Sequence, residues 1–213
     1  MEFEMSSILK SKDRFFDEEY MYIYIEKYAV LNNMKQTIKA LPYARKMHEG
    51  QFRKGKTKVP YIYHPLLVAC QAISLGMDSD DLIAVALLHD VCEDCDVTPD
   101  ELPVGDIVKE AVSLLTKNET YDSKSYECKE KYYSAIAKNE MAVMVKIMDR
   151  CNNISGMAGG FTKKRMAEYI EETEVWFYPM IENAKKDYPE YAKALFAMHY
   201  HIMSVVETIK HLL

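Results

Sequence analysis

Residues 82–94 read LIAVALLHDVCED, and they indicate both the fold class and the candidate chemistry of the chain. Its seven consecutive apolar residues predict a buried helix. If the helix continues, His89, Asp90, Glu93 and Asp94 fall within an arc of about 140°. An imidazole and three carboxylates are costly to desolvate unless a positive charge joins them. The stretch therefore indicates a divalent metal site at the end of a buried helix, with a chance cluster of acids in solvent as the alternative.

Two other stretches supply partners for His89 and Asp90. His64 lies in VPYIYHP, where the proline that follows it suits the first turn of a new helix. Asp149 lies in AVMVKIMDRCNN, an apolar helical pattern that abruptly carries an acid. Two imidazoles and two carboxylates form a mixed nitrogen and oxygen donor set. Such a set suits manganese, iron or zinc and is too rich in nitrogen to favour magnesium or calcium.

The bulk composition predicts a single globular domain. The chain has 213 residues, of which 49% are hydrophobic and 28% charged, which is ordinary for a soluble protein. No stretch approaches the roughly 18 apolar residues of a membrane span, and the N-terminus lacks the features of a secretion signal. The five cysteines are an odd number in a chain without an export signal, which predicts free thiols. We therefore expect a cytoplasmic protein with no membrane partner.

The charge distribution argues for an anionic small molecule rather than a nucleic acid. The net charge of −6 does not fit a protein whose whole surface is basic, so no nucleic-acid partner is expected. Two local clusters of cations stand out, RKGKTK at residues 53–58 and KKR at residues 163–165. In an acidic protein such clusters can focus a polyanionic ligand onto one cleft.

Helical periodicity runs through the whole chain, and glycine and proline are too few for a fold rich in turns. The predicted helices cover residues 18–32, 35–49, 65–76, 79–94, a short turn from 98, 105–117, 125–138, 140–156, 162–187 and the C-terminal stretch after 189. Gly156, Gly159 and Gly160 are expected to form a flexible connection, and residues 118–124 a polar loop near the site. The fold class is therefore all-α, a single-domain helical bundle.

The predicted organisation has three parts. Residues 1–34 form an N-terminal extension that is partly helical, residues 35–180 form the core, and residues 181–213 form a C-terminal helix packed on it. The stretch after the core reads as one helix and its entry, with no glycine-rich phosphate loop. That helix either packs on the bundle or forms a surface for self-association into a homo-oligomer.

Four segments, in this order and spacing, resemble the HD-type hydrolase domain of RelA/SpoT homologues: GQFRKG from Gly50, PYIYHP, LHDVCED and KIMDRCNN. The matched region covers roughly residues 40–178. Enzymes of that family use manganese to remove the 3′-pyrophosphate of guanosine tetra- and pentaphosphate. The resemblance implies a bundle of the HD phosphohydrolase type, a small alarmone hydrolase with one manganese ion per chain, and a guanine nucleotide as its partner.

The resemblance also implies roles for the site residues. His64, His89, Asp90 and Asp149 hold the ion. Glu93 and Asp94 orient water or carry a proton to the leaving group. The nucleotide contacts are expected from Arg53, Lys54, Asn153, Arg165 and Tyr169.

Two alternatives stay open at this point. One is an HD-type phosphohydrolase that acts on another nucleotide, such as an adenine analogue. The other is a nucleotide sensor without catalysis, against which the intact pair Glu93 and Asp94 argues, because a sensor has no need of it.

Overall fold

The chain is built from helices, as predicted. The structure, a computed structural model, describes residues 17–53, 58–118 and 120–213, and within these the backbone forms no β-strand beyond one bridge between Phe52 and Pro60. The helices are α1 (Glu18–Leu31), α2 (Lys35–Met47), α3 (Tyr63–Ser74), α4 (Asp80–Leu88), α5 (Val91–Asp94), α6 (Asp106–Leu115), α7 (Tyr126–Ile136), α8 (Glu140–Gly160), α9 (Lys163–Glu172), α10 (Tyr178–Asp187) and α11 (Ala192–Lys210). Helix ends agree with the predicted ones to within three residues, apart from two regions.

Helix α4 lies at the centre of the bundle. Its N-cap Ser79 accepts a hydrogen bond from the amide of Leu82, and every side chain from Leu82 to Leu88 is fully buried. A helix that is apolar on all faces needs neighbours on all faces. These neighbours are α2, α3, α6 and α8. The predicted buried helix is confirmed, and it carries His89 and Asp90 at its end.

The prediction of one helix over residues 79–94 is wrong, because α4 ends at Leu88 and α5 starts at Val91. The Nδ1 atom of His89 lies 2.8 Å from the carbonyl oxygen of Ala86. A continuing helix would offer that carbonyl to the amide of Asp90. A side chain that bonds to the backbone in this way competes with the helix. The four polar residues therefore occupy a turn and a second short helix rather than one continuous face.

The glycines near residue 160 do not form the predicted flexible connection. Helix α8 continues through Gly156 and Gly159 and ends at Gly160, where the amide of Phe161 bonds to the carbonyl of Met157. Glycine in a helix costs up to about 1 kcal/mol relative to alanine. Helix α8 packs against α3, α4 and α11. This packing offsets the cost of the glycines. The connection shrinks to two residues, and Thr162 caps α9.

The predicted helix over residues 162–187 is confirmed as α9 and α10, joined by a π-helical turn at Thr173–Phe177. Arg150 of α8 is buried beneath this turn. Its guanidinium lies 3.8 Å from the ring centroid of Tyr169 and 4.0 Å from that of Phe177, and it is ion-paired with Glu172. Arg150 therefore ties the long helix to the same helix that carries Asp149.

We expect the Glu172→Gln variant to lose about 3 kcal/mol of unfolding free energy at pH 7. Burial alone raises the pKa of Glu172, but Arg150 outweighs it and lowers that pKa from 4.5 to about 2. The depressed pKa makes the contribution complete above pH 4.5, and it is lost as the pH falls toward 2. Urea unfolding measures the difference in unfolding free energy between variant and parent. We expect the difference at pH 3 to be less than half of the difference at pH 7. The exposed neighbour Glu171 supplies the control, Glu171→Gln, and a loss equal at both pH values contradicts the assignment.

The two terminal helices pack on the bundle. Helix α1 lies against α2 and α3, and α11 lies against α8 and α10, which agrees with the expected packing of the C-terminal helix. All five cysteines are free, which confirms that prediction. Among the helices of the described ranges, none is long and apolar enough to span a membrane. The division into parts at residues 34 and 180 stays a prediction.

Candidate metal centre and nucleotide site

The four predicted metal ligands meet at one point between α3, α4 and α8. The Nε2 atom of His64 lies 3.3 Å from Nε2 of His89 and 3.1 Å from Oδ1 of Asp149. Oδ2 of Asp90 lies 3.3 Å from Nε2 of His89 and 3.6 Å from Nε2 of His64. The imidazoles are almost fully buried, whereas the side chains of Asp90 and Asp149 are 20% and 12% exposed. The centre therefore opens to solvent on its carboxylate side.

A contact at the Nδ1 atom orients each of the two imidazoles. Nδ1 of His64 lies 2.8 Å from Oδ1 of Asn152, and Nδ1 of His89 lies 2.8 Å from the Ala86 carbonyl. Because an oxygen acceptor takes the Nδ1–H, each ring presents its Nε2 lone pair to the centre. Two lone pairs and two carboxylates that face each other at these distances repel unless a cation lies among them. The donor set therefore fits a divalent metal ion.

Asn152 is not among the predicted site residues. It lies one turn after Asp149 on α8, within the quoted segment KIMDRCNN, and its partner His64 is 88 residues away in sequence. The usable signal is therefore the helical spacing of three residues from a candidate ligand. Spacing alone does not say that the amide supports a ligand on another helix.

Two further polar groups hold the carboxylates. The Tyr61 hydroxyl donates to Oδ2 of Asp90 over 2.8 Å, and Nζ of Lys146 lies 3.4 Å from Oδ2 of Asp149. Burial alone raises the pKa of Asp149, but Lys146 and then His64 outweigh it and hold that pKa well below its ordinary value. Burial, and then the charge of Asp90, raises the pKa of Tyr61. Tyr61 therefore stays protonated as a donor, and Asp149 stays ionised.

His48 supports Tyr61. Its buried ring stacks on the ring of Tyr61 with the centroids 4.8 Å apart, and its Nδ1 lies 2.8 Å from Oε1 of Gln51. Burial lowers the pKa of His48, which keeps it neutral. This arrangement fixes the phenol that donates to Asp90.

The acid pair lies at the rim of the centre, on α5. Glu93 is ion-paired with Lys117, whose Nζ lies 3.1 Å from Oε1 of the carboxylate. Loss of water raises the pKa of Asp94, and a hydrogen bond from Tyr61 opposes this without cancelling it. In the described ranges, the carboxylates within 3.9 Å of the two imidazoles are those of Asp90 and Asp149 rather than those of the acid pair. Lys117 directly precedes the polar loop 118–124, so the start of that loop lies beside the acid pair.

Two predicted nucleotide contacts lie beside the metal ligands. Nη2 of Arg53 donates to Oδ1 of Asn153 over 2.7 Å, and the amide nitrogen of Asn153 donates to Oδ1 of Asp149. Arg53 also lies over the ring of Tyr61 at 5.9 Å. Arg53 and Asn153 therefore form one wall of the centre. Lys54 lies outside the described residues.

The remaining two predicted contacts lie together on α9. Tyr169 is buried, with its ring against Arg150 and against Phe161. The side chain of Arg165 is 54% exposed, and Nη1 lies 3.6 Å from Oε2 of Glu168. Arg165 lies over the rings of Phe161 and Tyr169, and in the described ranges neither Arg165 nor Tyr169 has a hydrogen bond or ring contact with Arg53 or Asn153. Their roles toward a nucleotide stay predictions.

Comparison with known proteins places this site in a family. The HD domain family matches residues 40–181. A guanosine-3′,5′-bis(diphosphate) 3′-pyrophosphohydrolase of Aquifex aeolicus is 34% identical over 146 residues, which are 67% of this chain and 20% of that protein. The bifunctional (p)ppGpp synthase/hydrolase SpoT of Escherichia coli is 31% identical over 160 residues, which are 71% of this chain and 22% of that protein. The chain thus spans about a fifth of the length of these relatives.

A solved structure shows the same fold. It is described as a metazoan orthologue of SpoT that hydrolyses ppGpp, and it aligns with a TM-score of 0.64 over 82% of this chain and 95% of that chain, at 21% identity. The predicted all-α fold of the HD phosphohydrolase type is confirmed. The chain belongs to the HD domain family, and its similarity within that family is to RelA/SpoT-type hydrolases, as its four motifs predicted.

Proposed function

We propose that this chain hydrolyses the 3′-pyrophosphate of guanosine tetra- and pentaphosphate, releasing pyrophosphate and GDP or GTP, with one manganese ion per chain. The observation that carries the proposal is that His64 and His89 lie 3.3 Å apart and that the carboxylates of Asp90 and Asp149 each lie within 3.1–3.9 Å of both imidazoles, beside Arg53 and Asn153. The names of the relatives support the same substrate class. A guanine nucleotide is accordingly the proposed partner.

The two imidazoles and two carboxylates would hold the ion. When bound, a divalent metal supplies Lewis acidity toward phosphoryl oxygens and lowers the pKa of water into the neutral range. A donor set of two nitrogens and carboxylate oxygens supports manganese over magnesium or calcium. Asn152 and the Ala86 carbonyl hold the two imidazoles in the tautomer that binding requires.

The acid pair would move protons and orient water. The raised pKa of Asp94 makes it the better proton donor, and we assign it the protonation of the departing pyrophosphate. Glu93 lies on the same short helix and is held in place by Lys117. Its carboxylate would accept a hydrogen bond from the attacking water and so orient it. Together the two acids would supply one proton acceptor and one proton donor.

Arg53 and Asn153 would bind the nucleoside. Arg53 donates a hydrogen bond to Asn153, and Asn153 in turn donates one to the proposed metal ligand Asp149. The guanidinium and the amide therefore lie next to the metal centre. Arg53 would stack on guanine and Asn153 would bond the ribose, which directs the 3′-pyrophosphate toward the ligands. Lys54, Arg165 and Tyr169 are proposed to complete the contacts to base and phosphates.

Release of pyrophosphate from a panel of nucleotides with added manganese tests the proposal. We expect turnover of guanosine tetra- and pentaphosphate and none after chelation of the metal. Equal turnover of the adenine analogue would reassign the chain to an HD phosphohydrolase of broader or different nucleotide preference. Tight nucleotide binding without any turnover would make it a sensor.

The Arg53→Ala variant is expected to raise KM about 3- to 30-fold and to change kcat much less. A cation stacked on an aromatic face contributes roughly 0.5–2 kcal/mol, and this contact is made in the ground state and the transition state alike. Lys39→Ala is the control, because Lys39 is an exposed cation on α2, outside the cationic cluster at residues 53–58. An effect of Arg53→Ala confined to kcat contradicts a role in binding the base.

A further inference from the structure

A second cavity of about 840 Å³ lies on the other side of Asn152, between α1, α3, α8 and α11. None of the proposed metal ligands, acids or nucleotide contacts among the described residues lines it. Its volume falls within the roughly 300–1,000 Å³ of small-molecule sites. The cavity and the metal centre share one side chain: Asn152 lines the cavity, and its Oδ1 accepts the hydrogen bond from His64.

The lining of this cavity favours an uncharged ligand. Its walls are aromatic and aliphatic, and they include Tyr20, Met21, Tyr24, Leu67 and Met198. The ionisable side chains Asp17 and His201 are exposed. Burial raises the pKa of the Cys70 thiol to about 12, so this thiol stays neutral. A phosphate or carboxylate would be desolvated there without a lysine or arginine to pair it, which is costly.

The side-chain amide of Asn152 gives the ligand a polar end. Its Oδ1 atom accepts the hydrogen bond from His64, and within the described ranges its Nδ2 has no hydrogen-bond partner. Asn152 therefore has two N–H bonds to offer from the wall of the cavity. A carbonyl oxygen is the group that matches them.

We propose that this cavity binds a neutral, largely apolar small molecule with a carbonyl group, and that its occupancy is coupled to the metal centre through Asn152. The coupling rests on the proposed metal site, whereas the binding does not. A carbonyl that accepts from Nδ2 polarises the amide and makes Oδ1 a stronger acceptor for His64. A stronger bond at Nδ1 raises the basicity of Nε2, so the ligand and the metal strengthen each other's binding.

Binding is tested by fluorescence with prodan, a neutral naphthyl ketone, on the full chain without metal or nucleotide. We expect saturable binding of prodan and none of 8-anilino-1-naphthalenesulfonate, a naphthalene of similar size that carries a negative charge. The exposed wall residues Ala197 and Ser74 allow filling variants, Ala197→Trp and Ser74→Trp, which should abolish binding without lowering Tm. Ala158→Trp, at an exposed alanine of α8 outside the lining, should leave it intact. No saturable binding, preference for the sulfonate, or binding that survives both filling variants would overturn the site.

Coupling is tested by the dissociation constant of prodan with and without manganese. Linkage requires manganese to lower the dissociation constant of prodan, and prodan to lower that of manganese, by the same factor. We expect this factor to be about fivefold or more. Asn152→Ala should bind prodan with an affinity that manganese no longer changes. Equal affinity with and without manganese in the parent chain would overturn the coupling. Because neither measurement involves turnover, failure of the proposed hydrolase activity leaves both outcomes readable.

Discussion

The Asp149→Asn variant is expected to hold no stoichiometric manganese and to turn over guanosine tetraphosphate at least about a thousandfold more slowly. Metal chemistry supplies several kcal/mol of transition-state stabilisation, and each 1.36 kcal/mol is tenfold in rate. Asparagine keeps the shape of the side chain but removes the negative charge that faces His64 and Lys146. Metal content by mass spectrometry and pyrophosphate release by enzyme assay give the two readouts.

The control for this change is Asp187→Asn, an exposed acid at the end of α10 that should retain metal and activity. Because the side chain of Lys146 is only 12% exposed, loss of its partner also lowers stability, so the far-ultraviolet spectrum and Tm must show a folded variant. Stoichiometric manganese in folded Asp149→Asn would remove this residue from the ligand set.

The Glu93→Gln and Asp94→Asn variants are expected to keep the metal and to lose roughly 10²–10⁴-fold in kcat, the range of general acid and base groups. Both acids lie on α5 at the rim, whereas in the described ranges the carboxylates within 3.9 Å of the two imidazoles are those of Asp90 and Asp149. Loss of the exposed pair between Glu93 and Lys117 costs about 0–1 kcal/mol, so neither variant should unfold.

Asp96→Asn serves as the control for the acid pair, because it is an exposed acid two residues after Asp94. It should leave both metal content and kcat unchanged. If Glu93→Gln or Asp94→Asn instead loses metal in proportion to activity, the residue is a ligand, and the division between metal binding and proton transfer is wrong.

The central helix and the ligand types could be predicted from the sequence because both depend on local features. Seven buried apolar residues after a serine cap predict α4, and the residues that follow it are metal-binding types. The spacing of the residues could not predict that His64 and Asp149 lie close to His89, because the approach of three helices is a tertiary property. Their residue types indicated His64 and Asp149 as partners, and the resemblance to a known family supported that grouping.

The missed features depend on contacts across the fold. Tyr61 and Asp90 are 29 residues apart, and the His64 imidazole is held by an amide 88 residues away. The break after Leu88 comes from one side chain bonding to the backbone, which periodicity does not register. The glycines at the end of α8 are helical although their propensity predicts a connection, because packing with other helices overrides a weak local preference.

The complete burial of α4 has a consequence for how this kind of site can change over evolutionary time. His89 and Asp90 follow directly on residues with no exposed surface, so their positions cannot shift without repacking a dense interior. Arg53 lies outside the helices, where a substitution disturbs few buried neighbours. Contacts to the organic part of a substrate can therefore diverge at Arg53 while the proposed metal ligands keep their positions.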